Sequence, residues 1–240
     1  NLYDTDWAWG VTFSDFNHDG FEDFYVANGF FNPEDDRFFV NNNGINFTYG
    51  DFSGNPPLMS KSRSVNSFDY DNDGDLDLLV TDFNLNVNLW ENKSIDTYFT
   101  DEVMGSWVKI FLQGTTSNRD ALGSIIQLNF EDGTSQIRQY TGSGYQNQSL
   151  QSIHFGAAAN NNISSISASV QKATTLNRLF MTNNSLIDLP DNIFDNLKLD
   201  SLFLDGNKLK SIPQSVFSIT TLRNFRISNN YVSDIPKDIG

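Results

Sequence analysis

The chain has 240 residues, 38% hydrophobic and 14% aromatic, with 30 acidic against 15 basic side chains and no cysteine. A net charge of −15 argues against nucleic-acid binding, and disulfides play no part. The length suits two or three small domains, and no apolar run is long enough to span a membrane.

The first elements in chain order are a short strand, WGVTF (residues 9–13), and a loop, DFNHDGFED (residues 15–23). The same order returns as SVNSF (residues 64–68) and DYDNDGDLD (residues 69–77), with loop starts at Asp15 and Asp69, 54 residues apart. The second loop holds five aspartates at alternate positions. Like charge at that density repels itself, and a bound cation is the cheapest remedy. Gly20 and Gly74 give each turn its backbone freedom. Hard carboxylate and carbonyl oxygens suit calcium, which takes six to eight of them.

An EF-hand would need a bidentate Glu at position 12 and a following helix. Position 12 is Val26 or Val80, and each loop runs into a short β-forming stretch. The expected ligands are the side chains at positions 1, 3, 5 and 9 and the carbonyl at position 7. In the first loop these are Asp15, Asn17, Asp19, Asp23 and Phe21; in the second, Asp69, Asp71, Asp73, Asp77 and Asp75. A metal-free Asp/Gly turn is the competing reading. His18, at position 4 of the first loop, is expected to face solvent.

RFFVNNNGINFT follows the first unit and VNLWENKS the second. Several short strands at this spacing suggest β-propeller blades. Residues 8–95 resemble the FG-GAP/VCBS repeats of integrin-like propellers, whose blades carry a DxDxDGxxD calcium loop. Residues 106–160 resemble the ASPIC/UnbV module of cartilage acidic protein-like and bacterial surface proteins. SNRDALG (residues 117–123) and SIHFG (residues 152–156) carry that likeness. The family's closing Trp-Pro-Ser-Gly is replaced here by ISSISASVQKATTL. Arg119 and Asp120 read best as a turn with a local ion pair.

Residues 1–171 carry 23 acidic and seven basic side chains, whereas residues 172–240 carry seven and eight. This charge step marks an expected boundary near residue 171. Beyond it the period becomes 23. Leu176, Leu179, Met181, Asn184, Leu186 and Leu189 set a frame that returns from Leu199 and from Leu222, each closed by a proline (Pro190, Pro213, Pro236). This LxxLxLxxNxLxxLP pattern is that of a leucine-rich repeat. Recurring proline and the wrong period exclude one amphipathic helix. Arg178, Phe180, Ser201, Phe203, Asp205 and Arg226 lie between the leucines and are expected on the concave, partner-binding side. Phe180 and Phe203 would be either an exposed hot spot or a stack across coils.

The expected architecture is therefore mainly β. Residues 1–100 form two blades of a partial β-propeller, residues 106–171 a small β module, and residues 172–240 a short leucine-rich-repeat solenoid. Both ends cut a pattern, as in a fragment of a longer protein. No HExxH, GxSxG, P-loop or GxGxxG is present, so no enzymatic activity is expected. The expected function is a calcium-binding extracellular or cell-surface adhesion module with two structural calcium sites and a protein or glycan partner. An accessory part of a secreted enzyme and a structural surface spacer are the alternatives. Asn46 and Asn92 head glycosylation sequons.

Overall fold

The structure is a computed structural model and describes residues 7–30, 32–52, 59–84, 86–93, 106–114, 118–130, 134–141, 143–144, 147–148, 152–157, 163–167, 170 and 172–233. The expected roles of Pro236 and Ser117 lie outside them. The strands are β1 (Ala8–Ser14), β2 (Asp23–Asn28), β3 (Glu34–Asp35), β4 (Arg37–Asn42), β5 (Asn46–Gly50), β6 (Met59–Ser60), β7 (Ser62–Phe68), β8 (Asp77–Asp82) and β9 (Val87–Trp90). They continue as β10 (Ser106–Leu112), β11 (Ile125–Asn129), β12 (Ser135–Gln139), β13 (Ser143–Gly144), β14 (Asn147–Gln148), β15 (Ile153–Ala157), β16 (Leu176–Phe180), β17 (Ser201–Phe203) and β18 (Asn224–Arg226). One four-residue helix, α1 (Gln214–Phe217), precedes β18. Among the described residues the fold is mainly β, and none of the sheets closes on itself. The chain forms two compact units, residues 1–103 with 142–151, and residues 104–141 with 152–240.

In the first unit the 54-residue repeat is geometric as well as textual. The pair β1–β2 returns as β7–β8 with the same strand lengths, and both pairs are antiparallel. Both leading strands are irregular at the same place, between Ala8 and Gly10 and between Ser62 and Ser64. Gly10 is required there, because a Cβ would come within 2.9 Å of the Arg63 carbonyl oxygen. The first sheet runs β1–β2–β4–β5 and the second β7–β8–β9. Phe16, Tyr25, Ala27 and Phe38 pack with Val65, Leu76, Leu78 and Val80, so the two repeats share one core. The other face of β2 buries Phe24 and Val26 with Phe39, which is why all six of its residues are buried.

The second unit is built on one five-stranded sheet, β15–β10–β16–β17–β18. β10 pairs antiparallel with β15 and with β16, while β16, β17 and β18 pair in parallel, one strand per 23-residue period. The sheet thus runs unbroken across residue 171, and so does the core: Val108 and Ile166 pack with Leu176, Leu179, Leu202 and Leu209. The recurring asparagines explain the stacking. Asn207 Nδ2 donates to the carbonyls of Met181 (2.8 Å), Leu204 (3.0 Å) and Asp205 (3.3 Å), and its Oδ1 accepts from Leu186 N (3.0 Å). Asn230 repeats this one coil later, donating to Leu204, Ile227 and Ser228 and accepting from Leu209 N. Asn184 has no coil of this kind before it. It donates instead to the Trp107 carbonyl in β10, at 3.0 Å. β10 therefore stands in for the missing coil.

Candidate metal centre

Each Asp loop joins a leading strand to its apolar partner, β1 to β2 or β7 to β8. Positions 4 and 6 turn left-handed in both: His18 (φ 59°) and Gly20 (92°), then Asn72 (65°) and Gly74 (104°). Asparagine and histidine tolerate this region better than most residues, and glycine adopts it without strain.

Position 9 does more than sequence spacing indicated. Asp23 Oδ2 accepts Phe16 N (3.1 Å) and Oδ1 accepts Asn41 N (2.8 Å). Asp77 does the same with Tyr70 N (2.9 Å) and Asn92 N (2.8 Å). The asparagines complete the clasp: Asn41 Nδ2 donates to Glu22 O, and Asn92 Nδ2 to both Leu76 O and Phe16 O. Both aspartates are fully buried. Asn41 and Asn92 were missed by motif reading: Asn41 lies within β4 and Asn92 two residues past β9, each the strand that pairs with the one leaving its loop. The sequon at Asn92 sits on a side chain that is 1% exposed and hydrogen-bonded. The folded protein therefore withholds it from glycosylation, whereas Asn46 is exposed.

The loops differ in how they use the other carboxylates. In the first, Asp15 accepts Asp19 N and Gly20 N at 3.0 Å each, Asn17 Oδ1 accepts Asp19 N, and Asp19 Oδ1 accepts Phe21 N at 2.8 Å. In the second, Asp69, Asp71 and Asp77 bring ligand oxygens within 4.8 Å of one another. Oxygens bound to one calcium at 2.3–2.6 Å lie no more than about 5 Å apart, so this all-oxygen group fits the ion. Asp73 Oδ1 accepts Asp75 N at 2.8 Å, and Asp71 is exposed. Among the described residues this is the single acidic cluster of such tightness.

His18 does not face solvent. It is fully buried, with Nε2 3.2 Å from Asp75 Oδ1 in the second loop. Position within a loop says nothing about what packs over it. Burial alone would lower the His18 pKa, but Asp75, Asp15 and Asp73 outweigh burial and raise it. Burial, with Asp15 and Asp19 nearby, pushes Asp23 up to about 7. Loss of hydration and the crowding of like charge push Asp73 to about 7 and Asp77 to about 6. Away from the loops, burial drives Asp36 to about 7, although Asn28 N, Tyr25 Oη and Ser62 Oγ all donate to it.

These shifts give a pH dependence with a definite sign. A carboxyl whose pKa is about 3.9 unfolded and near 7 folded binds more protons when folded, so stability falls as pH rises between those values. A raised His18 acts in the same direction, its contribution being lost above its unfolded value near 6.5. The cation-free protein should melt roughly 5–10 °C lower at pH 8 than at pH 5, the shift expected from about 1–2 kcal/mol in a unit of this size. Calorimetric melting of protein stripped by chelator and desalted checks this. A melting temperature that rises over that range would show that these carboxyls are not protonated in the fold.

In the second unit, Phe180 and Phe203 stack at 4.4 Å with planes 6° apart, and both are half-buried. Phe111 of β10 packs against Phe180 at 5.2 Å, its ring tilted by 59°. Arg226 lies 4.9 Å over Phe203 and 2.9 Å from Asp205; Arg178 lies 5.5 Å over Phe111 and 3.6 Å from Asp200. Ser201 and Asp205 are buried, whereas Arg178 and Arg226 are exposed.

Residues 15–80 match an FG-GAP-like repeat family, and residues 114–169 match the ASPIC and UnbV family. Domains of both kinds are typical of extracellular or surface proteins, and FG-GAP repeats often bind calcium. No curated protein matched the chain. Among the described residues, no helix is long and apolar enough to cross a membrane.

Proposed function

We propose that the chain is a non-catalytic, calcium-stabilised binding or adhesion module working outside the cell. The two 54-residue units are read as propeller blades and the 23-residue coils as leucine-rich repeats. Calcium occupies both Asp loops, through Asp15, Asn17, Asp19, Phe21 and Asp23 and through Asp69, Asp71, Asp73, Asp75 and Asp77. The observation that carries the reading is the convergence of Asp69, Asp71 and Asp77 on one point. The ion's role is structural: it cancels carboxylate repulsion and pins the crossing from β7 to β8. Extracellular calcium suffices for a modest site of about 10⁻⁴ to 10⁻³ M. The face around Arg178, Phe180, Ser201, Phe203, Asp205 and Arg226 meets a protein or glycan partner.

Thermal unfolding with calcium, magnesium or chelator tests the reading. At a calcium concentration a hundredfold above the dissociation constant, one site adds about 2.7 kcal/mol. The expected result is a melting temperature that rises with calcium and far less with magnesium, and an Asp71→Ala protein that loses the second loop's share of the response and keeps the first's. Identical curves in calcium and chelator would sink the proposal.

A further inference from the structure

We infer that His18, a residue of the first loop, is a positioning residue for the cation site of the second. This rests on the calcium reading above. The two loops are not independent turns, because Asp75 is held from two directions. Its backbone N–H donates to Asp73 Oδ1 at 2.8 Å, and its carboxylate, fully buried, lies 3.2 Å from His18 Nε2. Asp75 occupies position 7, where the ligand is the main-chain carbonyl. Whatever fixes its side chain therefore fixes that carbonyl.

Asn72, the position-4 counterpart of His18 in the second loop, is exposed, whereas His18 is buried. Asn92 makes a second tie between the loops, with one amide nitrogen 2.8 Å from Phe16 O and 3.1 Å from Leu76 O. Asp75 belongs to a loop whose other charged residues, Asp69, Asp71, Asp73 and Asp77, all carry the same sign. Without the imidazole beside it, a buried carboxylate moves toward water, and the position-7 carbonyl moves with it. Outer-shell partners of metal ligands are typically worth about 10–100-fold in affinity.

The test is calcium titration calorimetry on the whole chain with two replacements. His18→Asn keeps a side chain suited to the left-handed backbone at φ 59° and gives up the reach to Asp75. His18→Gln keeps a side-chain N–H donor with more reach. In an Asp15→Ala background, which isolates the second loop, His18→Asn should weaken calcium binding about tenfold, and His18→Gln should recover most of that. With Asp75→Asn also present, the His18→Asn effect should shrink to about twofold or less, because the two residues then no longer share a charge contact. An unchanged affinity, or a loss of the same size with Asp75→Asn, would overturn the inference while leaving calcium binding intact. No calcium heat from the unaltered chain would overturn the calcium reading itself.

Discussion

Asp77→Ala should destabilise the first unit by about 2–5 kcal/mol even with no calcium present. The substitution strands two amide donors, Tyr70 N and Asn92 N, that the Asp77 oxygens accept at 2.9 and 2.8 Å. Buried donors left unmade cost about 1–3 kcal/mol each. Asp71→Ala is the contrast. Asp71 is exposed, and it accepts a long hydrogen bond from Asp73 N at 3.3 Å. Its loss should leave the chelator-treated protein almost unchanged and remove the second loop's part of the calcium response. Hydrogen exchange of the β7–β8 amides in chelator, compared among the three proteins, separates the two roles. Equal protection in Asp77→Ala and Asp71→Ala would mean that position 9 is a metal ligand and nothing more.

Asn207→Ala should cost the second unit about 3–5 kcal/mol. One side chain, 4% exposed, serves four main-chain groups in two successive coils. Alanine leaves Leu186 N without its acceptor and opens a polar cavity between coils. Asn230→Ala removes the same pattern where it is half exposed, and water replaces part of what is lost, so about 1–2 kcal/mol is expected. Denaturant unfolding followed by exchange at the amides of β16 and β17 measures both. Similar losses at the two positions would show that burial does not set the value of this ladder.

What was legible in the sequence was local. The loops with their strands are spelled by alternating Asp, a fixed Gly and an apolar run, all within a dozen residues. The 23-residue coils are spelled by Leu and Asn at constant offsets, and the parallel strands β16–β18 follow that spacing. What escaped was contact at a distance. Asn41 and Asn92 reach back 18 and 15 residues to their aspartates, and no short pattern includes them. Asp36 is a lone acidic residue in a polar stretch until Tyr25, Asn28 and Ser62 close on it. His18 looked solvent-facing because its cover comes from the other repeat. The Phe180–Phe203 stack was one of two arrangements the spacing allowed, and only ring geometry decides between them.

The pairing of β10 with β16, and the Asn184 bond to Trp107 O, bear on heredity. Recombination that cut the gene at the charge step would part the first coil from the strand that completes its hydrogen bonds and seals its core. A descendant receiving residues 172–240 alone would inherit an open edge and an apolar flank. A block able to fold after being copied or traded as a piece would therefore have to begin at β10, so that the coils carried their own lid.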